Sequence, residues 1–431
     1  MELTDFDCSQ FIAILQEELV PALGCTEPIA IAYAGAHARA LLGKIPDRVC
    51  IKSSGNIIKN VKSVTVPNSG NMKGIPAAAA IGIIGGNPDK GLEVLADITE
   101  ADITRTKEFL GQVSCKVSLL DTVASLHFIV EVFGGADSAS VEIIHQHTNI
   151  VRTTKNGKEV MSVPFDPASA NAALTDRSGL SVKKILAFAD TIDLNRVRPI
   201  LERQIEYNTR IAQEGLEHRY GINAGANLLK AAEAERAVTV KIRAQAAAAA
   251  GSDARMSGCT LPVVTNSGSG NQGLTASLPV IVFAEEKKLP HDRLLRGLLV
   301  SNLIAIHQKT RIGRLSAYCG AVSAACGSGA AVTYLSGGSY EQVCETITNT
   351  LAVVSGIVCD GAKPSCASKI ASSVDAALNA HYLAMQNRVF QAGEGIVKGD
   401  IEKTIAGVGS VAADGMRETD KVILRIMVED D

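Results

Sequence analysis

Tyr318-Cys319-Gly320 opens, and Cys359-Asp360-Gly361-Ala362-Lys363-Pro364-Ser365-Cys366 closes, a stretch that carries almost no charge until Glu341. Between them run Ala, Val, Ser and Gly, which pack closely, and thiols are the only strong metal ligands. Thiolates suit iron-sulfur centres and zinc, whereas oxygen-seeking metals would want carboxylates that this stretch mostly lacks. Gly361 and Pro364 make the segment between Cys359 and Cys366 a loop, so both sulfurs can turn toward one centre. Cys319 can join them only through tertiary folding. Structural zinc usually takes tight C-x2-4-C pairs, which are not present, while three thiolates leave one iron of a four-iron cluster without a protein sulfur. The spacing reads equally well as three small buried residues. Cys326 would lie on the face of Cys319 but about 10 Å along the helix axis; with Cys8, Cys50, Cys115, Cys259 and Cys344 it reads as a core residue.

Outward from this stretch the pattern stays helical through most of the second half, at 182–189, 194–217, 224–229, 237–250, 293–307, 340–357 and 367–388. The runs 75–87 and 319–339 are too rich in Ala, Gly and Ser to insert well into a bilayer and read as buried, close-packed helices. Between 113 and 163 short alternating runs appear, with Asn156-Gly157 as a hairpin signal. The expectation is an α+β protein. Residues 1–170 form an N-terminal α+β domain with helices and a small, largely antiparallel sheet, and 171–431 form a mainly helical domain. Pro, Asn, Asp and Gly collect at the boundary, 165–178. His127, His145 and His147 fall on strand-like segments and read as partly buried or solvated residues rather than ligands.

At 431 residues there is ample length for two domains. A net charge of -3 and only 4% aromatics offer neither the positive field nor the stacking platforms of a nucleic-acid binder. The acidic start, Met1-Glu2-Leu3-Thr4-Asp5, is unlike a secretory signal, so a cytoplasmic location is expected and the 10 cysteines are free or metal-bound. A helix is expected over 11–23, with Pro21 near its end. Gly24-Cys25-Thr26-Glu27-Pro28 then precedes the Ala-rich 29–42, with Thr26, or Thr26 together with Glu27, as cap. Cys25 sits at that helix N-terminus, where the peptide dipoles favour thiolate and lower the pKa; it reads also as a small buried residue at a helix junction.

Ser-Gly-Asn occurs three times, at Ser54-Gly55-Asn56, Ser69-Gly70-Asn71 and Ser269-Gly270-Asn271. A hydroxyl, a permissive Gly and an amide can form an anion nest for a substrate carboxylate, although each copy alone is also ordinary turn chemistry. The third lies in the richest loop, Thr265-Asn266-Ser267-Gly268-Ser269-Gly270-Asn271-Gln272-Gly273. Neither a Walker A loop nor a GxGxxG between strand and helix competes with it.

The blocks Val20-Pro21-Ala22-Leu23-Gly24-Cys25-Thr26-Glu27-Pro28, Ser54-Gly55-Asn56-Ile57-Ile58-Lys59-Asn60, Gly270-Asn271-Gln272-Gly273, Cys319-Gly320-Ala321-Val322-Ser323-Ala324-Ala325-Cys326-Gly327 and 359–366 resemble the L-cysteine desulfidase family. That family is related to the alpha chain of iron-sulfur L-serine dehydratases. The resemblance implies a lyase that eliminates sulfide from L-cysteine to give pyruvate and ammonia. It assigns Cys25 as proton acceptor and Cys319, Cys359 and Cys366 as ligands of a 4Fe-4S cluster acting as Lewis acid. Ser54, Gly55, Asn56, Ser269, Gly270 and Asn271 are the expected substrate-binding residues, in one cleft between the domains.

Serine dehydratases separate the last two cluster cysteines by a longer loop, and some add a C-terminal Cys. Met427-Val428-Glu429-Asp430-Asp431 carries none, which favours the desulfidase expectation. An L-serine dehydratase, a non-catalytic iron-sulfur redox sensor and a pyridoxal phosphate enzyme are the rival readings. The partner expected is a small amino acid, with no nucleic acid and no membrane; a homo-oligomer is compatible with the sequence.

Overall fold

The computed structural model describes residues 3–62, 64–167, 174–313 and 315–428. The expected boundary at 170/171 lies outside the described residues, as do the final residues 429–431. The elements are α1 (Asp5–Glu18), β1 (Pro21–Leu23), α2 (Thr26–Leu42), β2 (Arg48–Ser53), α3 (Gly55–Val61), α4 (Gly74–Gly85), α5 (Glu100–Gln112), β3 (Ser114–Leu119), β4 (His127–Gly134), β5 (Asp137–Ile144), β6 (Ile150–Lys155) and β7 (Lys158–Ser162). There follow α6 (Val182–Thr191), α7 (Arg198–Glu217), α8 (Ala224–Ala234), α9 (Val240–Met256), β8 (Pro262–Val264), α10 (Gly270–Glu286), α11 (His291–Ile312), α12 (Gly320–Leu335), α13 (Tyr340–Val354), α14 (Cys366–Ala384), α15 (Ile401–Ser410) and α16 (Arg417–Val428). The chain is α+β.

The larger sheet has the order β3-β2-β4-β5-β6-β7, antiparallel except where β2 and β3 run parallel. Asn156 and Gly157 both take positive φ, as a tight hairpin between β6 and β7 requires. Helices α2 and α4 pack together and α2 lies on β4 and β5. Their Ala and Ile side chains join Phe128, Val130, Val132, Val141 and Ile143 in one core.

A second core belongs to the helical half and is built around α12, every residue of which from Ala321 to Leu335 is buried. Helices α10, α11, α13 and α14 surround it. The first helix joins this core rather than the sheet: Phe11 meets Phe188 edge-on at 5.3 Å, and Ile14, Leu15 and Leu19 pack with them. Helix α1 also starts earlier than its apolar positions suggest, because Thr4 and Asp7 form a reciprocal cap. It ends at Glu18, so Pro21 lies in a strand.

Strand β1 is the joint between the halves. It pairs antiparallel with β8, setting Pro21 opposite Val264 and Leu23 opposite Pro262. Thr265 reinforces the joint, its backbone N–H donating to Val20 O (2.9 Å) and its hydroxyl to Glu18 O (2.9 Å).

Candidate active site

Two short backbone connections bring the distant cysteines together. Cys319 N–H donates to Ile357 O (3.0 Å) and Cys359 N–H to Ala317 O (2.6 Å), flanking a one-residue antiparallel bridge between Tyr318 and Val358. Cys319 is the N-cap of α12 and Cys366 begins α14, so both thiols stand at the positive ends of helices. The loop between Cys359 and Cys366 turns at Gly361, whose φ is +93° and where a Cβ would come within 2.8 Å of Asn60 Oδ1. Cys366 Sγ accepts from Lys363 N–H (3.4 Å) and lies 3.6 Å from Gly361 O.

Cys319, Cys359 and Cys366 line one cavity of about 90 Å³. That is several times the ~10–15 Å³ a single water needs and far below the ~300–1,000 Å³ of drug-sized ligand sites. Burial pushes the Cys319 thiol up to about 12, and Cys359 and Cys366 add to the shift. Burial also raises Cys366, with Lys363 N–H and then Lys369 and Arg255 opposing it. A cluster of soft thiols whose charges repel one another is a donor set that a cationic metal centre would neutralise. Among the described residues, no group of three or more His, Cys, Asp or Glu converges on a single-ion site. Three thiols on one cavity match the donor type of an iron-sulfur cluster, whose irons each take a separate thiolate. All ten cysteines are free.

Cys25 is the N-cap of α2 and makes no side-chain cap bond; Thr26 belongs to the first turn instead of capping it. Gly24, with φ +50°, redirects the chain from β1 into this position. Cys25 is only 1% exposed and does not line the cavity; it packs with Val64 and Met256, its Sγ 3.9 Å from Met256 Sδ, and against Ala362 and Cys366, which do line it. The lowered pKa expected from the helix end is not found. Burial pushes the thiol up to about 12, with Glu27 adding and Arg255 and Lys363 opposing, because loss of solvation outweighs half a dipole charge.

The third Ser-Gly-Asn copy enters the cavity: Ser269, the N-cap of α10, and Asn271 line it beside Gln272, and Gly270 packs against Arg255, another lining residue. The first copy does not. Ser54, Gly55 and Asn56 line a separate, wider cavity with Ser125, Asp420 and Leu424. Ser54 Oγ is committed to Ser125 O (2.8 Å). From the same helix it is Lys59 and Asn60 that reach the cysteine cavity. The second copy forms a tight turn in which Gly70 and Asn71 have positive φ.

The remaining wall is charged. Glu27 accepts from Asn60 Nδ2 (3.1 Å) and lies 3.1 Å from the Thr26 hydroxyl. Lys59, fully buried, pairs with Asp420 of α16. Arg255, Lys309 and His147 complete this part of the lining, and Lys363 Nζ donates to Lys59 O (3.3 Å). Asn60 Oδ1, Arg255 Nε, Asn271 Oδ1 and Gln272 Oε1 are buried without hydrogen-bond partners among the described residues. Such atoms cluster where a ligand completes the bonding. His127 is held by Glu142 (2.8 Å) and Thr122 (2.9 Å), and His145 Nε2 donates to Asp166 O (2.8 Å). Glu27, Lys59, Asn60, Arg255 and Lys309 were not among the expected site residues, although the first three lie inside two of the blocks quoted above, so a signal for them was present; His147, expected on a strand-like segment and not as a ligand, lies in the turn after β5 and lines the cavity.

The serine dehydratase alpha chain family model matches residues 89–425. A UPF0597 protein of Treponema denticola is 57% identical over the full length of both chains. Another, from Lachnoclostridium phytofermentans, is 55% identical over 97% of this chain and 99% of its own, and one from Aeromonas hydrophila is 40% identical over 97% and 96%. With matches of this extent, the chain belongs to the UPF0597 proteins, which are related to the serine dehydratase alpha chain.

Proposed function

We propose that this protein is a lyase of the serine dehydratase type whose substrate is L-cysteine, an L-cysteine desulfidase with a 4Fe-4S cluster held by Cys319, Cys359 and Cys366. The observation that carries the proposal is the meeting of these thiols on a small cavity with buried cations and unsatisfied polar atoms. When bound, the cluster would supply Lewis-acid polarisation of the substrate. The protein's own residues hold the amino acid and exclude water, the cavity being walled by Gln272, Asn271 and the buried Lys59. Cys25 lies behind the lining residues Ala362 and Cys366, so its role as acceptor of the Cα proton requires that it turn into the cavity and lose its own proton; as it takes the proton from Cα, the Cβ–S bond breaks and sulfide departs with its electron pair. The 2-aminoacrylate left behind tautomerises and hydrolyses to pyruvate and ammonium. Burial keeps the proton on Cys25 at neutral pH, so Arg255 and Lys363, the two cations opposing that burial, are the groups that favour its active form.

The family match favours a second reading, L-serine dehydratase, in which hydroxide leaves instead of sulfide. What supports cysteine is the resemblance of the Gly24-Cys25-Thr26-Glu27-Pro28 and 359–366 blocks to desulfidases. The two readings separate in one assay. Protein reconstituted with iron and sulfide under anaerobic conditions, then freed of excess reagent, is given each amino acid in turn. Equal amounts of sulfide and pyruvate from L-cysteine, at a kcat/KM well above that for pyruvate from L-serine, are expected; the reverse preference assigns the dehydratase.

A further inference from the structure

Two opposite charges face this cavity without pairing. Arg255 is 4% exposed and makes no hydrogen bond or ion pair among the described residues. Glu27 is 8% exposed and, among the described residues, is bound only by neutral groups, Asn60 Nδ2 and the Thr26 hydroxyl. A buried ion without a counter-ion is costly, and two such ions of opposite sign would ordinarily pair with each other if stability alone were at stake. Here they line one cavity, separately. The backbone is shaped to keep Arg255 in place: Gly270 leaves the space beside it, and a Cβ there would lie 2.3 Å from Nε. Asn60 holds the Glu27 carboxylate while its own Oδ1 remains unsatisfied.

We infer that Arg255 and Glu27 form a zwitterion clamp, Arg255 taking the α-carboxylate and Glu27 the α-ammonium group of a free amino acid. The inference rests on the amino-acid lyase reading and adds the residues that recognise the amino acid: both charged groups are read, so peptides, amides and simple carboxylic acids are rejected. The Ser269-Gly270-Asn271 turn then serves the carboxylate by making room for Arg255. Lys59, tied to Asp420, is not needed for this charge balance.

L-alanine tests the clamp without chemistry, because it has both groups and no β leaving group. Its affinity for the anaerobically reconstituted protein is compared with that of propionate, which lacks the amine, and L-alaninamide, which lacks the carboxylate. The wild type is expected to bind L-alanine about 10- to 100-fold more tightly than either, the range of one charge-assisted hydrogen bond. Glu27→Gln should erase the advantage over propionate, and Arg255→Gln the advantage over L-alaninamide. Gly270→Ala, which crowds Arg255 without removing a charge, should act in the same direction as Arg255→Gln and keeps the test open if that variant does not fold. L-alanine binding within twofold of wild type in the folded variants, or no preference in the wild type, overturns the clamp. Wild type that binds L-alanine selectively yet releases no sulfide from L-cysteine overturns the desulfidase reading and leaves the clamp standing.

Discussion

Ser54-Gly55-Asn56 and Ser269-Gly270-Asn271 carry the same three side chains and reach the same local structure. In each, Ser is the N-cap of a helix, makes no side-chain cap bond, and Gly is the first helical residue. Their surroundings differ completely. The first spends its hydroxyl on Ser125 O and faces the half-buried Leu424 of α16, while the second sits among the thiols against a buried guanidinium. A tripeptide thus encodes a turn, and the chain packed against that turn decides whether it binds anything.

The largest effects lie on the cysteine side of the comparison. Cys359→Ser is expected to lose the iron-sulfur absorption and the elimination activity together, read by visible spectroscopy and product assay on one preparation. Cys25→Ser should keep the absorption and lose about 10²- to 10⁴-fold in kcat, the usual contribution of a proton acceptor. Should the absorption vanish first, Cys25 is a ligand and the base lies elsewhere.

Substituting the two glycines sharpens the contrast directly. Gly270→Ala meets Arg255 Nε at 2.3 Å and Val263 Cγ2 at 2.6 Å, both in buried residues, so kcat/KM should fall about 10-fold or more. Gly55→Ala meets only the end of the Leu424 side chain, at 2.6 Å, which can swing aside. It should change stability by no more than about 1 kcal/mol in urea unfolding and leave kcat/KM within about threefold. Equal losses for both would mean that the first turn serves the site after all.

The smallest effect on activity comes from far outside both turns, at His381 in α14. Its Nδ1 lies 2.9 Å from the Thr333 hydroxyl, and burial lowers its pKa to about 4. Below about 6.5 the unfolded chain takes up this proton while the folded chain resists it, so stability falls as pH drops from 6.5 toward 4. The loss should be on the order of 3 kcal/mol by pH 4, seen in urea unfolding as a pH slope steeper in wild type than in His381→Gln. Parallel slopes would mean that His381 does not resist protonation in the folded chain.

Much of the fold could be read from the sequence because its signals are local. Asn156-Gly157 marks a hairpin by backbone sterics alone, and the Ala- and Gly-rich runs that became α4 and α12 can only be close-packed interior helices. The joint between halves could not be read: β1 and β8 are three residues each, both begin with Pro, and their partners are separated by more than two hundred positions. The cysteine triad was visible as residue types, but Arg255 and Glu27 gain meaning only when α9 and the start of α2 reach the same cavity. The shift on Cys25 was missed in sign for a similar reason, since a helix end is a local feature and burial is not.

Elimination at this site depends first on what the three thiols hold. Anaerobic reconstitution of the full chain, removal of unbound reagents, and chemical determination of iron and acid-labile sulfide per chain measure it. About four of each are predicted for the wild type, falling together in Cys319→Ser, Cys359→Ser and Cys366→Ser. Wild type that retains no sulfide, or a single metal ion bound equally well by all three variants, would contradict it.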